Sequence, residues 1–190
     1  PVWDGELYLE YHRGTYTSQA SLKKANRKAE FTYHNAEWLS ALADHFSGKE
    51  NYPHAALNEG WEMLLLNQFH DILPGSSIRQ VNEDARRDYQ AVQSIGENVL
   101  KEAQGSIEQN IQTHEDAIIV YNSLSFERDG LVELPVSSIF TETTTIVDEE
   151  GNTLPAQIIQ AEDSQKVLVQ AKNVPALGYK TFKLAEQSAS

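Results

Sequence analysis

The chain has 190 residues, with 15 Lys and Arg against 28 Asp and Glu, and a formal net charge of −13. That length holds one domain or two small ones with a real core, and that charge makes a poor partner for nucleic-acid phosphates or an anionic membrane surface. Cysteine is absent, which excludes a disulfide scaffold, a Cys-ligated metal or cluster and a thiol nucleophile.

No run approaches the roughly 20 apolar residues of a membrane span. The longest, Met63–Leu66 and Ala117–Tyr121, are core-sized. The chain opens Pro1-Val2-Trp3-Asp4, with neither Met nor a signal-like run, so we expect a piece of something longer.

The first half reads as helix. From about Gln19 to Phe46 there is no Gly or Pro, and Leu22, Ala25, Ala29, Tyr33, Ala36, Leu39, Leu42 and Phe46 recur at three- and four-residue steps. Ser47-Gly48 ends this helix, glycine supplying the positive φ that helix ends favour. Asn51-Tyr52-Pro53 opens a second helix that runs to about Phe69. Being apolar around most of its circumference, it is expected to be the most buried of the three. Pro74-Gly75-Ser76-Ser77 breaks the pattern, and Ser77 with Gln80 fits a capping box for a long third helix. There Ile78, Val81, Ala85, Tyr89, Val92, Val99, Ala103 and Ile107 keep close to a 3.5-residue rhythm, as in nearly antiparallel helices. Short connections predict a three-helix bundle over residues 1–112.

After about Glu115 the period becomes two. Short segments rich in Val, Ile, Thr and aromatics, at 118–121, 130–134, 144–147, 156–159, 166–169 and 179–184, predict strands, with a turn at Asp148–Asn152. The fold class expected is α+β: a three-helix bundle followed by a small antiparallel β-sandwich-like domain over 113–190.

Two clusters stand out chemically. His70-Asp71 ends the apolar helix just before the Pro-Gly-Ser turn. A His and an Asp there suit a metal or a substrate, and equally suit capping of the last carbonyls and turn amides. The run Glu10–Ser18 crowds aromatic, cationic and hydroxyl groups before a helix. It suits a sugar, and equally a helix start capped by Thr17 or Ser18. His34, His45, His54 and His114 read as surface or helix-end residues. No His-Glu-x-x-His, P-loop, Gly-x-Ser-x-Gly or dinucleotide fingerprint is present.

At these clusters the chain resembles a family. The runs Gly5–Gln19 and Leu66–Ile78, the latter reading Leu-Asn-Gln-Phe-His-Asp-Ile-Leu-Pro-Gly-Ser-Ser-Ile, together resemble the class II α-mannosidases, glycoside hydrolase family thirty-eight. The variant is that of the cytosolic and bacterial branch; the Golgi and lysosomal branch has Trp where His12 stands. Asn122-Ser123-Leu124-Ser125-Phe126 also looks like the Asn-x-Leu-x-(Phe/Trp) that opens the family's β-rich region.

The resemblance implies the middle helical domain and first β piece of a zinc-dependent retaining α-mannosidase, acting on mannose-containing oligosaccharides in the cytoplasm. By it, His70 is a zinc ligand, and Asp71 contacts the sugar, with His12 and Arg13 nearby as substrate-binding candidates. The nucleophile, the general acid and the remaining zinc ligands belong to an N-terminal catalytic domain with no counterpart here, so no catalytic residue is expected in this chain. On its own the chain is expected to hold zinc weakly or not at all. It is also expected to self-associate as a homo-oligomer through sheet edges that lack neighbours. A carbohydrate-binding or assembly module that never carried catalysis is the alternative.

Overall fold

Three helices form the first unit: α1 (Ala20–Ser47), α2 (His54–Asn67) and α3 (Arg79–Glu108). They are seen in a computed structural model that describes residues 1–5, 13–111, 117–136, 144–161 and 164–186. Buried positions on α1 are Leu22, Asn26, Ala29, Tyr33, Ala36, Ser40 and Ala43, with Leu39 beside them. On α2 they are Leu57, Gly60, Leu64 and Asn67, and on α3 Asn82, Ala85, Tyr89, Val92, Gly96, Val99, Ala103 and Ile107. Each set steps by three and four in near-strict alternation, the seam of helices packed lengthwise. Many seam residues are Ala, Gly or Ser, and small side chains let the helix axes approach.

That register corrects two sequence expectations. Leu42 is half-buried and Phe46 is exposed on α1, because the seam passes through Ser40 and Ala43 instead. Ile78 is likewise exposed, lying just before α3 begins. The second helix is not the most buried. Only one face of α2 meets α1 and α3, so Leu65 and Leu66 stay exposed at 58% and 62%. The expected caps also differ. Gln19, in the left-handed region at φ 51, precedes α1 without a side-chain cap, and Ile78 does the same for α3. Ser77 donates its hydroxyl to the Asp71 carbonyl, and Gln80 bonds Asp84. Gly48 ends α1 with φ 65 and donates to Asp44 O at 2.9 Å, as expected.

The centre of the bundle is Tyr33, fully buried. Its hydroxyl donates to Val92 O at 2.9 Å, and Trp61 packs edge-on at 5.4 Å between ring centroids. Tyr89 donates to Asn26 Oδ1 at 3.3 Å. Burial, reinforced by Glu59 for Tyr33 and by Glu30 for Tyr89, pushes both phenols up to about 12. Both are therefore neutral donors at ordinary pH.

In the second unit, 112–190, every strand pair among the described residues is antiparallel. Its strands are β1 (Ala117–Asn122), β2 (Arg128–Pro135), β3 (Thr144–Val147), β4 (Thr153–Leu154), β5 (Ala156–Ala161), β6 (Ser164–Val174) and β7 (Gly178–Glu186). One sheet runs β1-β7-β3-β4 and the other β2-β6-β5. Ile146, Leu154 and Phe182 from the first share a core with Val167, Val169 and Ala171 from the second, which gives the expected sandwich-like arrangement. All six predicted strands are present. The two-residue β4 went unpredicted, pairing with β3 around the turn where Asp148 accepts from the amides of Glu150 and Asn152. The Asn152 side-chain amide, which donates to Asp148 Oδ2 at 3.0 Å, and then those backbone bonds hold the Asp148 carboxyl below its ordinary pKa.

Asn122, which the sequence presents as a family mark, is a staple. Its buried Nδ2 donates to Phe126 O at 2.8 Å, Pro175 O at 3.0 Å and Val174 O at 3.2 Å, while Oδ1 accepts from Leu124 N at 3.1 Å. It ties the β1–β2 loop to the β6–β7 loop. Asn122→Ala should destabilise the β unit by about 2–3 kcal/mol, since it strands several buried backbone groups at once. Asn122→Asp should fare no better, because a carboxylate cannot donate. Urea midpoints within experimental error of wild type for both variants would contradict this role.

Candidate functional site

The two sequence clusters, separated by some fifty residues, meet at one end of the helical unit. The second cluster begins with two amides that pin the end of α2 to its neighbours. Asn67, 1% exposed, donates to Met63 O at 2.9 Å and reaches Asp88 Oδ2 on α3 at 3.1 Å. Gln68 turns the other way, to Asn26 Oδ1 at 3.1 Å and Glu30 Oε1 at 3.2 Å on α1. The chain then leaves the helix in consecutive turns. Phe69 N donates to Leu66 O, Ile72 N and Leu73 N to Phe69 O, and Gly75 N to Ile72 O.

His70 and Asp71 sit on those turns, pointing outward. Their side chains are 77% and 60% exposed, with His70 Nε2 3.4 Å from Asp71 Oδ2. The ring of Phe69, itself exposed, lies 4.2 Å from that of His70. The anchoring of the helix end falls on Asn67 and Gln68, which leaves the His70 and Asp71 side chains facing solvent.

The first cluster forms the turn 13–19, in which Ser18 N donates to Gly14 O at 2.7 Å. Arg13 and Tyr16 are exposed on it. His12 lies outside the described residues, as does His114. The turn abuts the second cluster at Gly75, which has φ 78, a left-handed value that favours glycine. A side chain there is excluded twice over, since a Cβ would come within 2.8 Å of the Gln19 side chain and 2.9 Å of Ser18 O. The Ser18 hydroxyl reaches Gly75 O at 3.5 Å, and Arg86 of α3 holds the Gln19 side chain.

Chemically, the site presents one imidazole and one carboxylate side by side. Zinc takes three or four protein donors in a structural or catalytic site. Among the described residues no group of three His, Cys, Asp or Glu converges, so these residues alone do not complete a zinc site. They fit a contribution to one. Sequence reasoning singled out His70, Asp71 and Arg13 as candidates and passed over Asn67, Gln68, Gly75 and Lys23, which hold the turns. A signal existed for Lys23: a cation in the first turn of a helix opposes the helix dipole. Among the described residues no helix is long and apolar enough to cross a membrane.

The family model for the alpha mannosidase middle domain matches residues 10–107. Alpha-mannosidase 2C1 of Mus musculus is 41% identical over 134 residues, covering 70% of this chain and 13% of the relative. An alpha-mannosidase of Saccharomyces cerevisiae is 45% identical over 113 residues, covering 59% of this chain and 10% of the relative. The chain thus spans about an eighth or less of the length of these relatives. Among solved structures, a glycosyl hydrolase family 38 protein from Enterococcus faecalis superposes with a TM-score of 0.73 at 20% identity, covering 100% of this chain and 27% of that one. That likeness speaks for the fold.

Proposed function

This chain belongs to the alpha mannosidase middle domain family, and from that premise we propose that it is the helical middle domain and first β piece of a longer, zinc-dependent retaining α-mannosidase. The observation that carries the reading is the turn after α2. It offers His70 and Asp71 to solvent as an adjacent pair and braces both against α1 and α3 through Asn67 and Gln68. A ligand on a braced turn is preorganised for a partner that brings the remaining donors.

In this reading His70 supplies one zinc ligand and Asp71 accepts a mannose hydroxyl. Arg13, on the neighbouring turn, and His12 are the further candidates for sugar contact. When bound, zinc supplies a template and Lewis acid for the sugar hydroxyls. The two carboxyl groups of a retaining glycosidase, about 5–5.5 Å apart, come from the rest of the enzyme. The exposed apolar side chains Leu65, Leu66 and Phe69, next to His70, are the surface on which that rest packs. The resemblance to the cytosolic branch supports action in the cytoplasm on mannose-containing oligosaccharides.

The 190-residue chain by itself should therefore hydrolyse no aryl α-mannoside above a matched blank, and calorimetry should show only weak zinc binding. Turnover by the pure chain, or tight one-to-one zinc binding that His70→Ala removes, would overturn this division of labour.

A further inference from the structure

Lys23 is the fourth residue of α1, where the free N–H groups of the helix start already carry positive charge and no acidic residue offsets it. Its ammonium reaches back across the helix start to three backbone carbonyls, Ser18 O at 2.6 Å, Leu73 O at 3.0 Å and Pro74 O at 3.2 Å. An ammonium has three donors and no acceptor, so its capacity is filled. One acceptor belongs to the turn 13–19 and two to the turns that carry His70 and Asp71. Partial burial lowers the Lys23 pKa by desolvation; the three carbonyls oppose that shift by stabilising the charged form. Beside it, the Gly75 backbone lies directly against Ser18 and Gln19.

A helix-start lysine that breaks the local charge rule, yet satisfies every donor on two separate turns, points to a positional role. The geometry points to Lys23 as a positioning residue: its ammonium clamps the 13–19 turn to the His70–Asp71 turns, so that the sugar-side and metal-side contacts keep a fixed spacing. The inference rests on the reading of His70 and Asp71 given above. Lys23 touches neither metal nor sugar in it, and acts through the backbone of Ser18, Leu73 and Pro74.

Amide exchange on the 190-residue chain tests the clamp. Lys23→Met, which keeps the stem and loses the donors, should accelerate exchange roughly tenfold or more at Ser18, Leu73 and Gly75, through loss of charge-assisted bonds. Gly48, in the equivalent backbone bond at the far end of α1, should not change. Lys23→Arg, which keeps a charged group with several donors, should fall between wild type and Lys23→Met. In the longer enzyme, zinc affinity should follow the same order. Unchanged exchange in Lys23→Met overturns the clamp. So does equal acceleration at Gly48, which signals general loosening. Arg no better than Met, or faster exchange with unaltered zinc affinity, overturns the positioning role. Retention of zinc by His70→Ala in the same enzyme would instead show that the underlying reading fails, and the positioning role with it. Should Lys23→Met not fold, Lys23→Gln with the same readouts decides between these outcomes.

Discussion

Gly60→Ala should cost the helical unit about 3 kcal/mol or more, the upper range for overpacking a core. Helix propensity alone argues the other way, since Ala is favoured over Gly by up to about 1 kcal/mol in a helix interior. Sterics decide the sign. A Cβ at Gly60 would lie 1.6 Å from the Tyr33 hydroxyl oxygen and 2.3 Å from Cζ. The ring cannot retreat, because Gly96 borders it on α3, where a Cβ would already sit 2.8 Å from Cε2. The hydroxyl is also committed to Val92 O. Any shift that admits the methyl group breaks that bond in a fully buried site and disturbs Trp61. A fall in Tm of roughly 10–20 °C follows for a unit of this size, read from tryptophan fluorescence and helical circular dichroism. Gly105→Ala is the control. It lies in α3 with nothing within 4 Å of its would-be Cβ, and should be neutral or mildly stabilising. Equal effects of the two substitutions would contradict a seam built around Tyr33.

In the longer enzyme, the two exposed side chains of the turn should separate by function. His70→Ala should lower turnover by more than about a hundredfold at limiting zinc, more than the loss of an outer-shell partner costs, and added zinc should restore part of it. Asp71→Ala should leave metal content near normal while kcat/KM falls, because it removes a hydrogen-bond acceptor for the sugar and no metal donor. Neither substitution should unfold the helical unit, since both side chains are mostly exposed and the turn is held by Asn67, Gln68 and Lys23. Equal zinc loss in both variants would show that the two roles are not divided in this way.

Periodicity carried most of the architecture. Among the described residues, apolar steps of three and four located all three helices, Gly48 marked an end, and alternation located six of the seven strands. What it mistook was which face is buried. Leu65 and Leu66 look like core residues because they are apolar, yet the seam of α2 runs through Leu57, Gly60, Leu64 and Asn67. A glycine and an asparagine carry no hydrophobic signal; their burial is set by the ring of Tyr33 and the carboxylate of Asp88 across the interface. The capping box at Ser77 failed for a related reason. Its hydroxyl has a nearer acceptor in the Asp71 carbonyl, a contact created by the turn itself. β4, at two residues, is too short to show a period.

The candidate site was legible in its chemistry and illegible in its support. His70, Asp71 and Arg13 stood out as candidates by residue type and family motif. The joining of their two turns was not, because it runs through backbone carbonyls and the absence of a side chain at Gly75, neither of which a residue pattern displays. Asn122 was noticed for its motif alone, and its three carbonyl partners on two loops explain why an asparagine stands there.

In the proposed reading, His70 joins a zinc site that the rest of a longer enzyme completes. Zinc content per enzyme molecule, measured by elemental analysis after equilibrium against a weak chelator, tests it most directly. One zinc per wild-type molecule is expected, with a large loss in His70→Ala and Asp71→Ala close to wild type. Full zinc occupancy in His70→Ala, under conditions where the wild type is also fully occupied and the chelator competes, would contradict it.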